Sequence, residues 1–484
     1  MSAEAPRTLR LVLPHVQLDD PHLCNDDSSS LALQGAIYDT LVTRLDALRF
    51  GPALATSWRV DDTGRRWRFQ LRSGVVAHDG GPLDAEDVIA TLERVRDPSL
   101  GGVLGTEGVF ASYLEGASYH RHEGEDGGEV VEVELARPIA DLLDLIVDFP
   151  VIPRRALDRY DRAPIGTGRY RFVRGDEQGV VLERWEHHWG GGGSYDRLEI
   201  AAERDAGARA ARVAAGEADV AAGMNPTLAQ QYASTPGVAL MQRPASMCAV
   251  FFFNLHAAAA DSPVHDPRVR QALHHATDVE VIVDQALLGY ARRLSGPFTE
   301  LHLAHDPSVP NASYDLARAR ALLSEAGYGA GCDLTVDVPT RLPDEAQQVA
   351  AMLRDQWSQV GVRLRIVAHD DRPGYAHMVR AKRIHDLCCF DSGPISSYRV
   401  LVEKFASGVQ GPWWQGYASD EVDALIEQAA ATVETTERRA VYQQAYRRLV
   451  EDAPWLYLYS PDKLWLVRDG VDGFAPTYHG VSAA

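Results

Sequence analysis

The sequence predicts an α/β protein of more than one lobe, built on mixed sheets. Strand-like segments of period two alternate along the chain with capped segments of helical period. At 484 residues the chain is too long for one ordinary core and is expected to fold as two or three lobes. A hydrophobic share of 45% is enough to build them.

After a short polar lead, Leu9-Arg10-Leu11-Val12-Leu13 alternates and reads as the first strand. Trp67, Phe69 and Leu71 share one face of WRFQL, and VVEVEL at 130–135 has a cleaner period of two. Asp84, with Asp87 three residues on, predicts a capped helix over 85–95. Asp266-Pro267 reads as an N-cap followed by proline at the first helical position. Asp315 caps LARARALLSEAGY, which Gly327 stops. Within 343–360, Ala346, Ala350, Leu353, Trp357 and Val360 form one helical stripe, and Gly361 precedes the strand-like VRLRIV. Ser419 opens a helix toward Thr432, and another covers 437–450. The polar, glycine-rich RHEGEDGGE at 121–129 reads as a hairpin loop or flexible insertion.

Charge and cysteine usage narrow the function classes. Lys and Arg total 48 against 68 Asp and Glu, and the net charge of -20 repels nucleic-acid phosphates and anionic membrane surfaces. No run of 18 apolar residues suggests a membrane-spanning helix. Cys24, Cys248, Cys332, Cys388 and Cys389 make an odd set without CxxC spacing, so reduced, buried thiols are expected. The opening MSAEAPRTLRLVLPH lacks the basic start, apolar block and small-residue cleavage site of an export signal. A cytoplasmic protein is therefore expected, or a periplasmic or cell-surface one if the stated start omits a signal.

Several segments in order resemble the family 5 extracellular solute-binding proteins, the receptors that deliver peptides, nickel or related solutes to ABC importers. The block IYDTLVTRLDALRFGPALATSWRVDDTGRRWRFQLRSGVVAHDGGPLDAEDV at 37–88 is the fullest match. IGTGRYRFV, AAGEADVAAG, FFFNLHA, HDPRVRQALHHATD, YDLARARALLSEAGY and WSQVGVRLRIV follow it. The resemblance implies a periplasmic-binding-protein type II-like architecture of three lobes with a hinged cleft. Lobe I would take residues 1–46, 163–243 and 461–484, lobe II 47–162 and lobe III 244–460. Ligand would lie between lobes I and III. Gly166-Thr167-Gly168 would return the chain from lobe II to lobe I, and Phe251-Phe252-Phe253-Asn254 would lead into lobe III.

The same comparison weighs the candidate site residues. His78-Asp79-Gly80 matches a tight turn of the family and reads as structural. His120, His122, Glu123 and Asp126 lack rigid ligand spacing and read as a solvated acidic loop. His274 and His275 cannot share a helix face, so one packs and the other meets water. In ERWEHHWGG, His188-Trp189 stands where the family has Tyr-Trp, so a pocket-side phenol becomes an imidazole able to move protons near neutral pH, or a surface loop has varied. In CCFDSGPISSYRV, Asp391 matches the acid that pairs with a ligand ammonium in peptide receptors; the competing reading is a helix N-cap or turn residue. Trp185, Trp189, Tyr398, Trp413, Trp414 and Tyr417 occupy loop-like contexts and are candidate pocket walls with Asn254. The Arg and His contacts of the nickel-binding branch have no positional match, so no metal is expected, and no cofactor.

The leading functional expectation is a family fold recruited inside the cell as a biosynthetic enzyme. It would condense an amine with a carbonyl compound in a Pictet-Spengler-type cyclisation, with Asp391 and His188 as acid and base. The alternative is the substrate-binding receptor of a peptide-type ABC importer, whose permease would then be its partner. In both readings the ligand is an amine-bearing small molecule and the protein a monomer.

Overall fold

Leu9 to Leu13 belong to the strand Thr8–Leu13 in the computed structural model of the chain. The structure describes residues 7–23, 28–46, 48–100, 109–124, 127–341, 344–477 and 480–483. The chain divides into two units, Met1–Arg243 with Lys463–Ala484, and Pro244–Asp462.

In the first unit, Thr8–Leu13 is the middle strand of a seven-stranded sheet. The order is Val238–Arg243, Lys463–Arg468, Val220–Ala222, Thr8–Leu13, Arg197–Ala202, Gly179–Arg184 and Tyr170–Asp176. The middle strand runs parallel to both neighbours, with Leu11 opposite Ile200 and Val220, and the outer pairs are antiparallel. A parallel centre is covered on both faces, which is why Val12 is buried along with Leu11 and Leu13. A separate antiparallel sheet takes the order Ala55–Val60, Arg66–Leu71, Glu129–Glu134 and Ser118–Glu123. Trp67, Phe69, Val131 and Val133 bury one of its faces. The helix Ala85–Val95 begins with the reciprocal cap expected of Asp84 and Asp87. His120, His122 and Glu123 stand on an exposed strand instead of the expected loop, because 118–123 and 129–134 pair as a hairpin. Asp126, Cys24 and Pro343 lie outside the described residues.

Two sequence motifs meet at one junction of this unit. Gly168 donates its N–H to the carbonyl of Ile37 at 2.9 Å, and a Cβ added at Gly166 would sit 2.1 Å from the same oxygen. Only glycine admits so close a backbone approach. His78 closes the junction from the other side. Its Nε2 donates to the Gly168 carbonyl at 2.9 Å, and its Nδ1 accepts the Gly166 N–H at 3.3 Å. Burial holds this imidazole neutral, with a pKa of about 4. Asp79 beside it is held at about 2 by the Arg155 guanidinium, 2.7 Å away.

The second unit is organised on a six-stranded mixed sheet. Its order is Ala291–Arg293, Trp455–Pro461, Cys248–Phe253, Leu387–Ser392, Cys332–Pro339 and Val362–His369. Every residue of Cys248–Phe253 is buried. The helix Ala346–Ser358 joins the parallel pair Cys332–Pro339 and Val362–His369, and buries the predicted stripe of Ala346, Ala350, Leu353 and Trp357. The Trp357 indole N–H finds the Thr277 hydroxyl at 2.9 Å. Asp315 and Ser419 cap Leu316–Glu325 and Asp420–Ala431, and Gly327 takes φ +90. Cys248, Cys332, Cys388 and Cys389 are free, buried thiols.

The junction and the buried imidazoles generate two predictions. Gly166→Ala must displace the Ile37 carbonyl, and urea unfolding should show a loss of about 2 kcal/mol or more; wild-type stability would contradict the close approach. His78 and His274 are both neutral in the fold, each held at about 4 by burial, and charge near pH 6.5 once unfolded. Unfolding therefore takes up protons between about pH 6.5 and 4, so stability should fall as pH falls through that window. A urea midpoint for the wild-type chain that stays flat from pH 6.5 to 5 would contradict this.

Candidate functional site

The predicted site residues fall into two groups, one in each unit. In the first, the chain leaves the strand Gly179–Arg184 and turns through Trp185 to Gly191, with the His188 N–H on the Trp185 carbonyl and the Gly191 N–H on that of His188. Trp185 donates its indole N–H to the Val76 carbonyl at 3.2 Å and meets His78 edge-on, so it supports the junction. Trp189 points differently. Its Nε1–H donates to Asp39 Oδ2 at 2.9 Å, and the Arg72 guanidinium covers its ring at 4.1 Å. The wholly buried Thr167 donates its hydroxyl to the same Asp39 oxygen at 3.0 Å. The His188 side chain is 1% exposed, and its Nε2 lies 3.5 Å from Asp39 Oδ2, too far for a hydrogen bond. Its Nδ1 lies 2.8 Å from the Gly191 carbonyl oxygen and 3.1 Å from the Gly190 amide nitrogen. His188, Trp189 and Asp39 line a cavity of about 450 Å³.

In the second unit, Asp391 is the fifth residue of the strand Leu387–Ser392, opposite Ala249. The N-cap reading of Asp391 is thereby corrected, because Ser396 caps the following helix through the Arg399 N–H. Tyr398 lies inside that helix, Ser397–Lys404, and is buried, not in a loop. The Phe390 ring meets Trp413 at a tilt, with centroids 4.6 Å apart, and carries the Arg372 guanidinium at 5.4 Å. Trp414 is half-buried, edge-on to His256, with its indole N–H on the Tyr417 carbonyl at 2.6 Å. Tyr417 donates its phenol to Asp452 at 2.6 Å, and Asn254 directs its amide hydrogens to the carbonyls of Ile384 and His385. Asn254 and Tyr417 thus fix the backbone and a helix end, while Phe390, with Trp413 against it, and Asp391 take consecutive positions near the end of the strand and face opposite sides of the sheet.

Sequence reasoning missed several partners. Glu345, at the start of Ala346–Ser358, accepts the Tyr459 phenol at 3.0 Å; burial raises its carboxyl, and the charges of Asp344 and Asp391 add to the shift. Burial also lifts the Cys248 thiol to about 12, with Lys404 pulling down and Asp391 pushing up. Asp391 thus lies within electrostatic reach of Glu345 and of Cys248, whose thiol also feels the buried Lys404. The wholly buried Asp337 accepts from His369 at 2.8 Å and from His385 at 3.0 Å. None of these partners is close in sequence, so no local spacing announces them. Among the described residues, no group of three or more His, Cys, Asp or Glu side chains is arranged to hold a metal ion, and no helix is long and apolar enough to cross a membrane.

Comparison with known proteins gives a consistent result. The family model described as bacterial extracellular solute-binding proteins, family 5 middle, matches residues 49–390. The dipeptide-binding protein of Escherichia coli is 24% identical over 477 residues, covering 93% of this chain and 87% of that protein. The glutathione-binding protein GsiB of Pectobacterium atrosepticum is 26% identical over 456 residues, covering 91% and 85%. The solved structure of HbpA2 from Haemophilus parasuis has a TM-score of 0.83 at 24% identity, covering 98% of this chain and 99% of that one.

Asp39 should be the linchpin of the first group. Asp39→Ala leaves the Trp189 N–H and the buried Thr167 hydroxyl without their acceptor, at an expected cost of about 2–4 kcal/mol in urea unfolding. A loss below about 0.5 kcal/mol would show that these bonds do not hold the turn in place.

Proposed function

The chain belongs to the bacterial extracellular solute-binding proteins, family 5, and from that premise we propose that it is the substrate-binding receptor of an ABC importer for a peptide-like solute with a free ammonium group. The observation that carries this reading is the position of Asp391. It is the penultimate residue of the strand Leu387–Ser392, within electrostatic reach of the half-buried Glu345. Two nearby carboxylates favour a cation. A charge-assisted bond from Asp391 to an ammonium is worth roughly 1.5–3 kcal/mol.

The biosynthetic cyclisation has less support. The relatives named above are described as binding proteins, and holding a solute demands only burial and complementary charge. Trp413 is the proposed wall against the solute's side chain. Trp414, Tyr417, Tyr398 and Asn254 are proposed to hold that wall's surroundings in place.

Titration calorimetry with dipeptides and their N-acetylated forms tests the reading. Free-amine dipeptides should bind, their acetylated forms should bind at least about tenfold more weakly, and Asp391→Asn should erase most of that difference. Equal affinity for free and acetylated forms would overturn the ammonium anchor.

A further inference from the structure

The cavity of the first unit has chemistry of its own. It is formed wholly by residues of that unit and measures about 450 Å³, within the range of small-molecule sites. Leu11, Leu13, Ala32 and Ile200 give it an apolar floor, and the exposed Gly35, Thr43 and Pro52 lie on its lining, so it reaches solvent. The charged groups on the lining are Asp39, Arg44, Asp148 and Arg169. Arg44 is paired with Asp144 at 2.7 Å, and Arg169 directs Nη1 to the carbonyl of Gly191 at 2.9 Å. Neither guanidinium is therefore presented as the main anchor for an anion.

The acceptors are arranged otherwise. Asp39 takes both of its hydrogen bonds on Oδ2, from Trp189 and Thr167, which leaves Oδ1 for another donor. His188 Nδ1 lies 2.8 Å from the Gly191 carbonyl oxygen and 3.1 Å from the Gly190 amide nitrogen; the shorter contact, to an oxygen that can only accept, assigns the ring hydrogen to Nδ1, so Nε2 carries a lone pair. That nitrogen is buried without a hydrogen-bond partner. A buried acceptor without a donor is costly, and such a group in a native fold marks a missing partner. An alcohol brings one donor to these acceptors, whereas a primary ammonium brings three and a charge opposite to that of Asp39.

We propose that this cavity is a binding site for a small primary ammonium with an aliphatic tail, its head on Asp39 Oδ1 and His188 Nε2 and its tail on the Leu11, Leu13 and Ile200 floor. The site lies within the first unit, and its proposal does not rest on the Asp391 anchor. The probes are n-hexylammonium and 1-hexanol, titrated into the full chain. Calorimetry reads the affinity, and the Trp189 indole N–H resonance, assigned through Trp189→Phe, reads the place. Hexylammonium should bind saturably and move that resonance, with hexanol weaker by about tenfold or more. Asp39→Asn, which keeps an oxygen for Trp189 and Thr167, should weaken hexylammonium about tenfold, and Ala32→Leu should block it by filling the floor. Binding that leaves the Trp189 signal unmoved, no saturable binding, or equal affinity for hexanol overturns the proposal, and the wild-type readout holds whatever the variants' stability.

Discussion

The first unit depends on one steric constraint, the contact of the Gly166-Thr167-Gly168 backbone with the carbonyl of Ile37. A side chain at either glycine would push the two segments apart. With them in contact, Thr167 reaches Asp39, Asp39 reaches Trp189, and His78 closes the turn from outside. Two members of this network, Asp39 and Trp189, line the cavity together with Leu11 and Leu13 of the middle strand. Each bond joins residues far apart in sequence, 128 positions for Thr167 with Asp39 and 150 for Trp189 with Asp39. Such ties restrict the unfolded chain little and the folded one greatly, as expected of contacts that define a tertiary structure.

That long range also explains what the sequence could disclose. Strand alternation at Leu9–Leu13, the caps at Asp84, Asp315 and Ser419, and the stripe ending in Trp357 are local patterns, and the fold realises them. The family resemblance, carried by motifs spread along the chain, agrees with the match over 49–390. The candidate site was legible only in part. The competing helix-cap reading of Asp391 and the loop-like context of Tyr398 fail because a short glycine- and serine-rich stretch conceals where the strand ends and the helix begins. Glu345, Asp39 and Asp337 were missed for a different reason. Each acquires its role from a partner brought in by another element, and an isolated acid in sequence carries no sign of that.

Electrostatics links the fold to the proposed activity. A chain with net charge -20 is well suited to attract cations and poorly suited to phosphate polymers. Within the second unit the acidic character becomes specific, because Glu345 is desolvated and Asp391 lies near it. Lys404, buried in the helix after Asp391, offsets part of that field at Cys248. A solute ammonium at the proposed Asp391 site would act together with this resident cation, which would let the site discriminate among amines by geometry as well as by charge.

As a receptor, the protein would hold its solute without altering it. Native mass spectrometry of the full chain after incubation with a mixed dipeptide pool tests this most directly. A complex with one peptide per chain, releasing that peptide at unchanged mass on activation, is the predicted result. A released species whose mass matches no member of the pool would mean chemistry had taken place and would contradict the receptor account.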